Sequence, residues 1–305
     1  MRRPFLAALV ELARQDPRVA LLVADLGYTV VEPFAEAFPA RFFNVGVAEQ
    51  NLIGVATGLA EAGFIPFCYS IATFAALRPY EFIRNGPALH GLPVRIVGAG
   101  GGLEYGPAGA THHALEDVGV LRTLPGLRVL APADSPQAVA ALRASWDLPG
   151  PTYYRLGKDD QALLPGLEGR FRLDQVECVR EGADLALLAL GAIASETLRA
   201  ADRLAREGIS ARVVVVPQLA PAPDAALREV LGDVPLALTH EAHVPAGGLG
   251  SLVAEVIAEA GLQCRLVRCA ARPLATPQTG SRDFLRRAHG ISAEDVAARA
   301  REALA

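Results

Sequence analysis

Two consecutive α/β units, each a doubly wound parallel sheet with helices on both faces, are the architecture that the sequence predicts. Three observations lead there. Short apolar runs alternate with helical patterns from end to end, the rhythm of βαβ units. Hydrophobic residues make up 51% and charged residues 20%, enough apolar material to bury strands on both faces. The 305 residues suit two domains, and between Gly157 and Arg172 the pattern lapses into Gly, Pro and charge. The division is placed at 1–165 and 166–305.

In the first unit, helical patterns run over Phe5–Arg14, Glu49–Ala62, Pro79–Leu89 and Ser135–Trp146. Strands are expected at Val19–Val23, Val94–Gly98 and Leu127–Ala131, each bounded by Pro, Gly or Asp. In the second unit, Leu185–Gly191 reads as a buried strand, Ser195–Glu207 as a helix and Ala211–Pro217 as the next strand. Pro235–His240 then runs into Gly247-Gly248-Leu249-Gly250 and a helix to Ala260. Those glycines could cradle a phosphate at a helix start, but their spacing is not the dinucleotide fingerprint, and a tightly packed turn is the simpler reading.

Composition narrows the partners. A net charge of −4 with no basic stripe argues against nucleic acid, and no apolar run approaches the roughly 18 residues of a membrane span. The basic start Met1-Arg2-Arg3 is followed by Glu11, Arg14 and Asp16, which does not suit a signal peptide. Cys68, Cys178, Cys264 and Cys269 lack metal-ligand spacing and read as thiols of a reducing compartment, so a cytoplasmic protein is expected.

The most informative stretch is Phe43-Asn44-Val45-Gly46-Val47-Ala48-Glu49-Gln50-Asn51, which puts a carboxyl at the mouth of a helix that is apolar almost all round. A helix without a polar face reads as a core helix, and Gly54 and Gly58, one turn apart, would let another backbone approach. A buried carboxylate must be paired, hydrogen-bonded or neutral; a capping or ion-paired Glu would satisfy that as well as a catalytic one. Gly-Val-Ala-Glu-Gln-Asn followed by this Gly-spaced helix resembles the pyrimidine-binding domain of the transketolase family of thiamine diphosphate enzymes. The resemblance implies that Glu49 donates a proton to a ring nitrogen of the cofactor's aminopyrimidine, helped by an apolar site that favours the neutral carboxyl. It covers nearly the whole chain from about Leu21, and implies a thiamine diphosphate-binding fold of the pyrimidine type followed by a transketolase C-terminal-like domain.

Three further segments carry the resemblance. Ala24-Asp25-Leu26-Gly27-Tyr28-Thr29 follows a strand at its carboxyl end, where α/β proteins bind ligands, or forms a plain N-cap turn. In the family a similar segment implies Asp25 near the pyrimidine and Thr29 on substrate phosphate. Tyr69-Ser70-Ile71-Ala72-Thr73-Phe74, with Arg78-Pro79-Tyr80-Glu81 after it, resembles the aromatic segment whose Phe, here Phe74, stacks on the pyrimidine. Ala110-Thr111-His112-His113 resembles the substrate-binding Thr-His loop, with His112 at the donor carbonyl and His113 a supporting neighbour or a bystander. Tyr153-Tyr154-Arg155-Leu156 resembles the strand end that supplies an Arg, here Arg155, to substrate phosphate.

The departures shape the functional expectation. Where transketolases carry a phosphate-binding His and a hydroxyl-reading acid, this chain has Gly100 and Ala108, with Glu104 and Tyr105 as candidate replacements. An altered acceptor, less hydroxylated or not phosphorylated, is expected. Asp-Gly occurs nowhere, so the family's Gly-Asp-Gly signature for diphosphate and Mg2+ is absent and no metal ligand is assigned to this chain. The chain also starts where the second half of a full-length transketolase would. The expectation is the C-terminal subunit of a split transketolase, transferring a two-carbon ketol unit with thiamine diphosphate. A partner subunit would hold the diphosphate and Mg2+, in an α2β2 heterotetramer. A deoxyxylulose phosphate synthase-like or 2-oxoacid dehydrogenase beta-like enzyme, and a non-catalytic partner, are the alternatives.

Overall fold

A computed structural model describes all 305 residues. The first unit contains α1 (Arg2–Gln15), β1 (Val19–Val23), α2 (Glu32–Ala37), β2 (Phe42–Asn44), α3 (Glu49–Glu61), β3 (Ile65–Ile71), α4 (Ala72–Leu77) and α5 (Tyr80–Ile83). It continues through β4 (Arg95–Ala99), α6 (Asp117–Leu121), β5 (Arg128–Leu130), α7 (Ser135–Ser145) and β6 (Thr152–Leu156). The second contains β7 (Glu177–Arg180), β8 (Leu185–Ala189), α8 (Ala194–Arg206), β9 (Ala211–Val215), β10 (Gln218–Ala220), α9 (Asp224–Gly232) and β11 (Leu236–Glu241). It ends with α10 (Leu249–Ala260), β12 (Arg265–Ala270), α11 (Arg282–Ala288) and α12 (Ala293–Leu304).

The expected α/β class with two sheets is what the chain adopts. The first sheet has seven strands in the order β10-β5-β6-β4-β3-β1-β2, all parallel except β10 against β5. The second has five, β12-β11-β8-β9-β7, parallel except β7 against β9. Strands β1, β4, β6 and β8 are buried at every residue; β1 and β8 are wholly apolar, while β4 and β6 bury Arg95 and Arg155 as well. β10 comes from the second half of the chain yet extends the first sheet, pairing Gln218 with Leu130, so the two units share backbone hydrogen bonds as well as core. One apolar cluster runs from Leu52 and Ile53 of α3 through Ile96 to Leu188 and Val214.

Two helical expectations are corrected. The pattern over Pro79–Leu89 is not one α-helix: α5 stops at Ile83 and a π-helical turn covers Arg84–Ala88. Pro87 lies inside that turn and has no N–H to continue an α ladder. Helix α3 is not a core helix. Leu52, Ile53, Ala56 and Ala60 are buried, but Asn51, Gly54, Val55 and Gly58 face outward. Nothing lies within 4 Å of a Cβ placed on Gly58, and only the edge of Phe82 reaches Gly54. The second apolar face is therefore left open.

Candidate active site

Parallel strands β1, β3, β4 and β6 all end on one edge of the first sheet, at Val23, Ile71, Ala99 and Leu156. The loops leaving that edge carry most of the expected residues. Asp25 and Thr29 both sit in left-handed backbone, at φ 52° and 68°. Asn44, at the end of neighbouring β2, holds the first turn: its Oδ1 accepts from the Asp25 amide at 3.1 Å and its Nδ2 donates to Asp25 Oδ1 at 2.9 Å. The Thr29 amide donates to Glu32 Oε1 at 2.7 Å, and its hydroxyl lies 3.5 Å from Arg3 Nη2. Both side chains remain exposed.

Glu49 is the deepest member. It opens α3 and is 1% exposed. The Ser70 hydroxyl on β3 donates to its Oε1 at 3.0 Å, and Arg78 Nη1 donates to its Oε2 at 2.8 Å. The same guanidinium lies over the Phe74 ring, with Cζ 3.9 Å from the centroid. His112 meets Phe74 edge-on, with centroids 5.1 Å apart at 68°, and Thr111 Oγ1 is 3.0 Å from His112 Nδ1. Glu49, Phe74 and His112 are thus one contiguous group, joined through Arg78 and ring contacts. Asp25 and Thr29 flank it from the β1 loop.

Position 100 is not simply empty. Gly100 has φ +73°, and a Cβ there would overlap the ring of Tyr105. Tyr105 fills the volume of the missing side chain; burial pushes its hydroxyl pKa up. Its centroid is 6.4 Å from that of His112, and Lys158 Nζ sits 4.2 Å above its ring. The second replacement considered from sequence, Glu104, turns away: it is 6% exposed and bound to Arg282 and Arg286 of α11.

Arg155 is the expected site residue that the structure does not bring to this group. Its Nε and Nη2 bind both oxygens of buried Asp117 at 2.9 and 3.0 Å, and Nη2 also donates to the carbonyls of Ala114 and Ala242. It is a 6%-exposed strut between the two units. Nε and Nη2 are committed to a carboxylate and two carbonyls, which leaves only Nη1 without a partner in the protein. Lys158, three residues on and past the strand end, is the cation that reaches the aromatic wall instead. Sequence reasoning missed it, together with the hydrogen bonds of Ser70 and Arg78 to Glu49. Lys158 could have been found by asking which basic residue follows the end of β6 rather than lies within it.

His113 is buried beneath the loop, its pKa lowered by that burial, and Nε2 has no hydrogen-bond partner. The Gly247–Gly250 turn binds no ligand-like space: the amides of Leu249 and Gly250 donate to Glu241 at 2.7 and 2.8 Å, so a buried carboxylate takes the place of an anion. No cluster of three or more His, Cys, Asp or Glu side chains could hold a metal ion. No helix is long and apolar enough to cross a membrane.

Residues 1–161 match the transketolase pyrimidine-binding domain and residues 174–296 the transketolase C-terminal domain. The chain belongs to the transketolase family. A putative transketolase C-terminal section from Methanocaldococcus jannaschii is 36% identical over 305 residues, covering 99% of this chain and 95% of the relative. A 6-deoxy-6-sulfo-D-fructose transketolase subunit from a Clostridium species is 35% identical, covering 99% and 94%. Among solved structures, a split gene transketolase described as an inactive beta4 tetramer superposes with a TM-score of 0.89 at 37% identity, covering 99% of this chain and 97% of that one. The family and the two-domain fold expected from sequence are those found.

Proposed function

We propose that this chain is the C-terminal subunit of a two-component transketolase that moves a two-carbon ketol unit from a ketose phosphate to an aldehyde or ketone. The observation that carries the reading is the pocket formed by Glu49, Ser70 and Phe74. A buried carboxyl and an aromatic face together hold a flat, N–H-bearing cation, the Arg78 guanidinium. A carboxylate acceptor beside an aromatic face, holding a planar nitrogen cation, fits an aminopyrimidine protonated at the ring nitrogen that faces Glu49.

In this reading Glu49 and Ser70 bind the ring nitrogen edge of thiamine diphosphate, Phe74 stacks on its face, and Asp25 borders the ring. When bound, the cofactor supplies the carbanion that attacks the donor carbonyl. Glu49 holds the proton exchanged with the ring, and the apolar walls of α3 and β3 keep water from it. His112 donates to the substrate oxygen whose charge changes. Lys158 and Thr29 are the candidates for a substrate anion, with Arg155 reassigned to structure. Tyr105 replaces a polar side chain by an aromatic wall, which supports an acceptor with fewer hydroxyls than an ordinary aldose phosphate. The diphosphate and Mg2+ fall to a partner subunit, and the open face of α3 with exposed Phe82 and Leu89 suits the contacts of an α2β2 assembly. The division near residue 165 and a cytoplasmic location belong to the same reading.

The test is Glu49→Gln in the reconstituted complex, read by deuterium exchange at the thiazolium carbon of bound cofactor. Exchange is expected to slow by about two to four orders of magnitude. Exchange at the wild-type rate would make Glu49 a structural residue and remove the mechanism.

A further inference from the structure

Arg78 satisfies both of the groups that the proposed function reserves for the cofactor ring. Its Nη1 donates to Glu49 Oε2 at 2.8 Å, and its Cζ lies 3.9 Å over Phe74. Guanidinium and the aminopyrimidine protonated at the nitrogen facing Glu49 share the properties such a pocket selects: both are flat, delocalised cations that present N–H to the carboxylate. The two ends of the ion pair differ sharply, Glu49 being 1% exposed and Arg78 42%. Arg78 therefore reaches in from solvent, at the short junction between α4 and α5, and can withdraw by side-chain rotation alone. Glu49 cannot follow it out. Without Arg78 or a ligand, the carboxylate would keep only the Ser70 hydroxyl, an expensive state for a charge so deeply buried.

We propose that Arg78 is a built-in occupant of the pyrimidine pocket, which it fills in the unloaded chain and leaves when the cofactor ring enters. The inference rests on the functional reading above. Arg78 stabilises the empty subunit, and by the same contact it competes with the ring. Apparent cofactor affinity is then lowered by the fraction of time the pocket is closed.

The experiment measures binding, not turnover. The complex of this chain with the diphosphate-binding subunit is titrated with thiamine diphosphate and Mg2+ by calorimetry, as wild type, Arg78→Met and Arg78→Lys. Arg78→Met keeps the length of the stem but removes the competitor, so the complex should bind about tenfold more tightly. The same chain alone should melt at a lower temperature than wild type, because Glu49 has lost its partner. Arg78→Lys keeps a charge without the plane; it should fold with near wild-type stability and bind the cofactor a few-fold more tightly, which preserves the test if the Met variant does not fold. Unchanged affinity in both variants would show that Arg78 does not compete, and affinity tenfold weaker would make it a contact of the loaded state; either result overturns the inference while leaving the functional reading intact. A wild-type complex that binds no thiamine diphosphate would overturn both.

Discussion

The two halves of this chain differ in what their buried carboxylates and histidines bond to. In the C-terminal half Glu196 and His240 are held by that half's own residues, although Thr239 Oγ1 and Arg212 Nε have no hydrogen-bond partner. His240 lies at 0% exposure with Thr197 Oγ1 at 2.8 Å from Nδ1 and the Ile291 carbonyl at 3.0 Å from Nε2. Glu196 takes Arg199, Arg286 and the Ala293 amide. In the N-terminal half, Glu49 is paired with a side chain reaching in from solvent, His113 Nε2 has no partner, and one face of α3 meets nothing. Both halves use the same class of sheet. The C-terminal half thus closes Glu196 and His240 on its own residues, whereas the N-terminal half holds Glu49 by a side chain that solvent reaches.

The largest effect that can sharpen this contrast is at Arg155, where scaffold and site assignments diverge. Arg155→Ala should cost about 3–5 kcal/mol of stability, because it leaves Asp117, at 0% exposure, with the Tyr153 hydroxyl alone. Urea unfolding measures this. A loss below about 1 kcal/mol with a raised KM would return Arg155 to the substrate.

Next comes the pH dependence of the scaffold. Burial lowers His240 to about 4 from 6.5, so its neutral form is the folded one. Its contribution is complete above pH 6.5 and is lost as pH falls toward 4, about 3 kcal/mol in all. Burial raises Glu241 to about 7 from 4.5, and that contribution runs the other way, present below pH 4.5 and lost by pH 7. The two nearly cancel in the wild type. The stability difference between wild type and His240→Gln should therefore grow by about 3 kcal/mol from pH 4 to pH 6.5. A difference independent of pH would show that His240 titrates normally.

A smaller effect is expected on the open side of the comparison. Lys158→Met should leave the melting temperature within a degree or two, since its ammonium is partly exposed and rests only on Tyr105. KM for donors or acceptors ending in an oxyanion should rise about tenfold, near 1.4 kcal/mol, with little change for neutral ones. Equal effects on charged and neutral substrates would remove Lys158 from the substrate site.

The same contrast explains what could be read from sequence. β1 and β8 are unbroken apolar runs, β9 and β11 are mostly apolar ones, and Glu49 stands at a helix start inside a distinctive motif, so these were legible. A buried strand is expected ahead of Glu49, but β2 is mostly exposed; β10 was not legible, being three residues long and joined to a sheet that lies far away in the chain. Arg78 follows the aromatic segment that resembles the family's pyrimidine wall, but its pairing with Glu49, 29 positions earlier, is announced by nothing local. Arg155 misled because a strand-end arginine and a strand-interior one look alike until Asp117 is brought alongside. Gly100 looked like a loss because the side chain that fills its space, Tyr105, comes five residues later and packs back by a turn.

If this chain is half of a thiamine diphosphate site, calorimetric titration of thiamine diphosphate and Mg2+ should give negligible heat with the chain alone, and saturable binding with ketol transfer in its mixture with a diphosphate-binding transketolase subunit. Tight cofactor binding by the chain alone would contradict that reading.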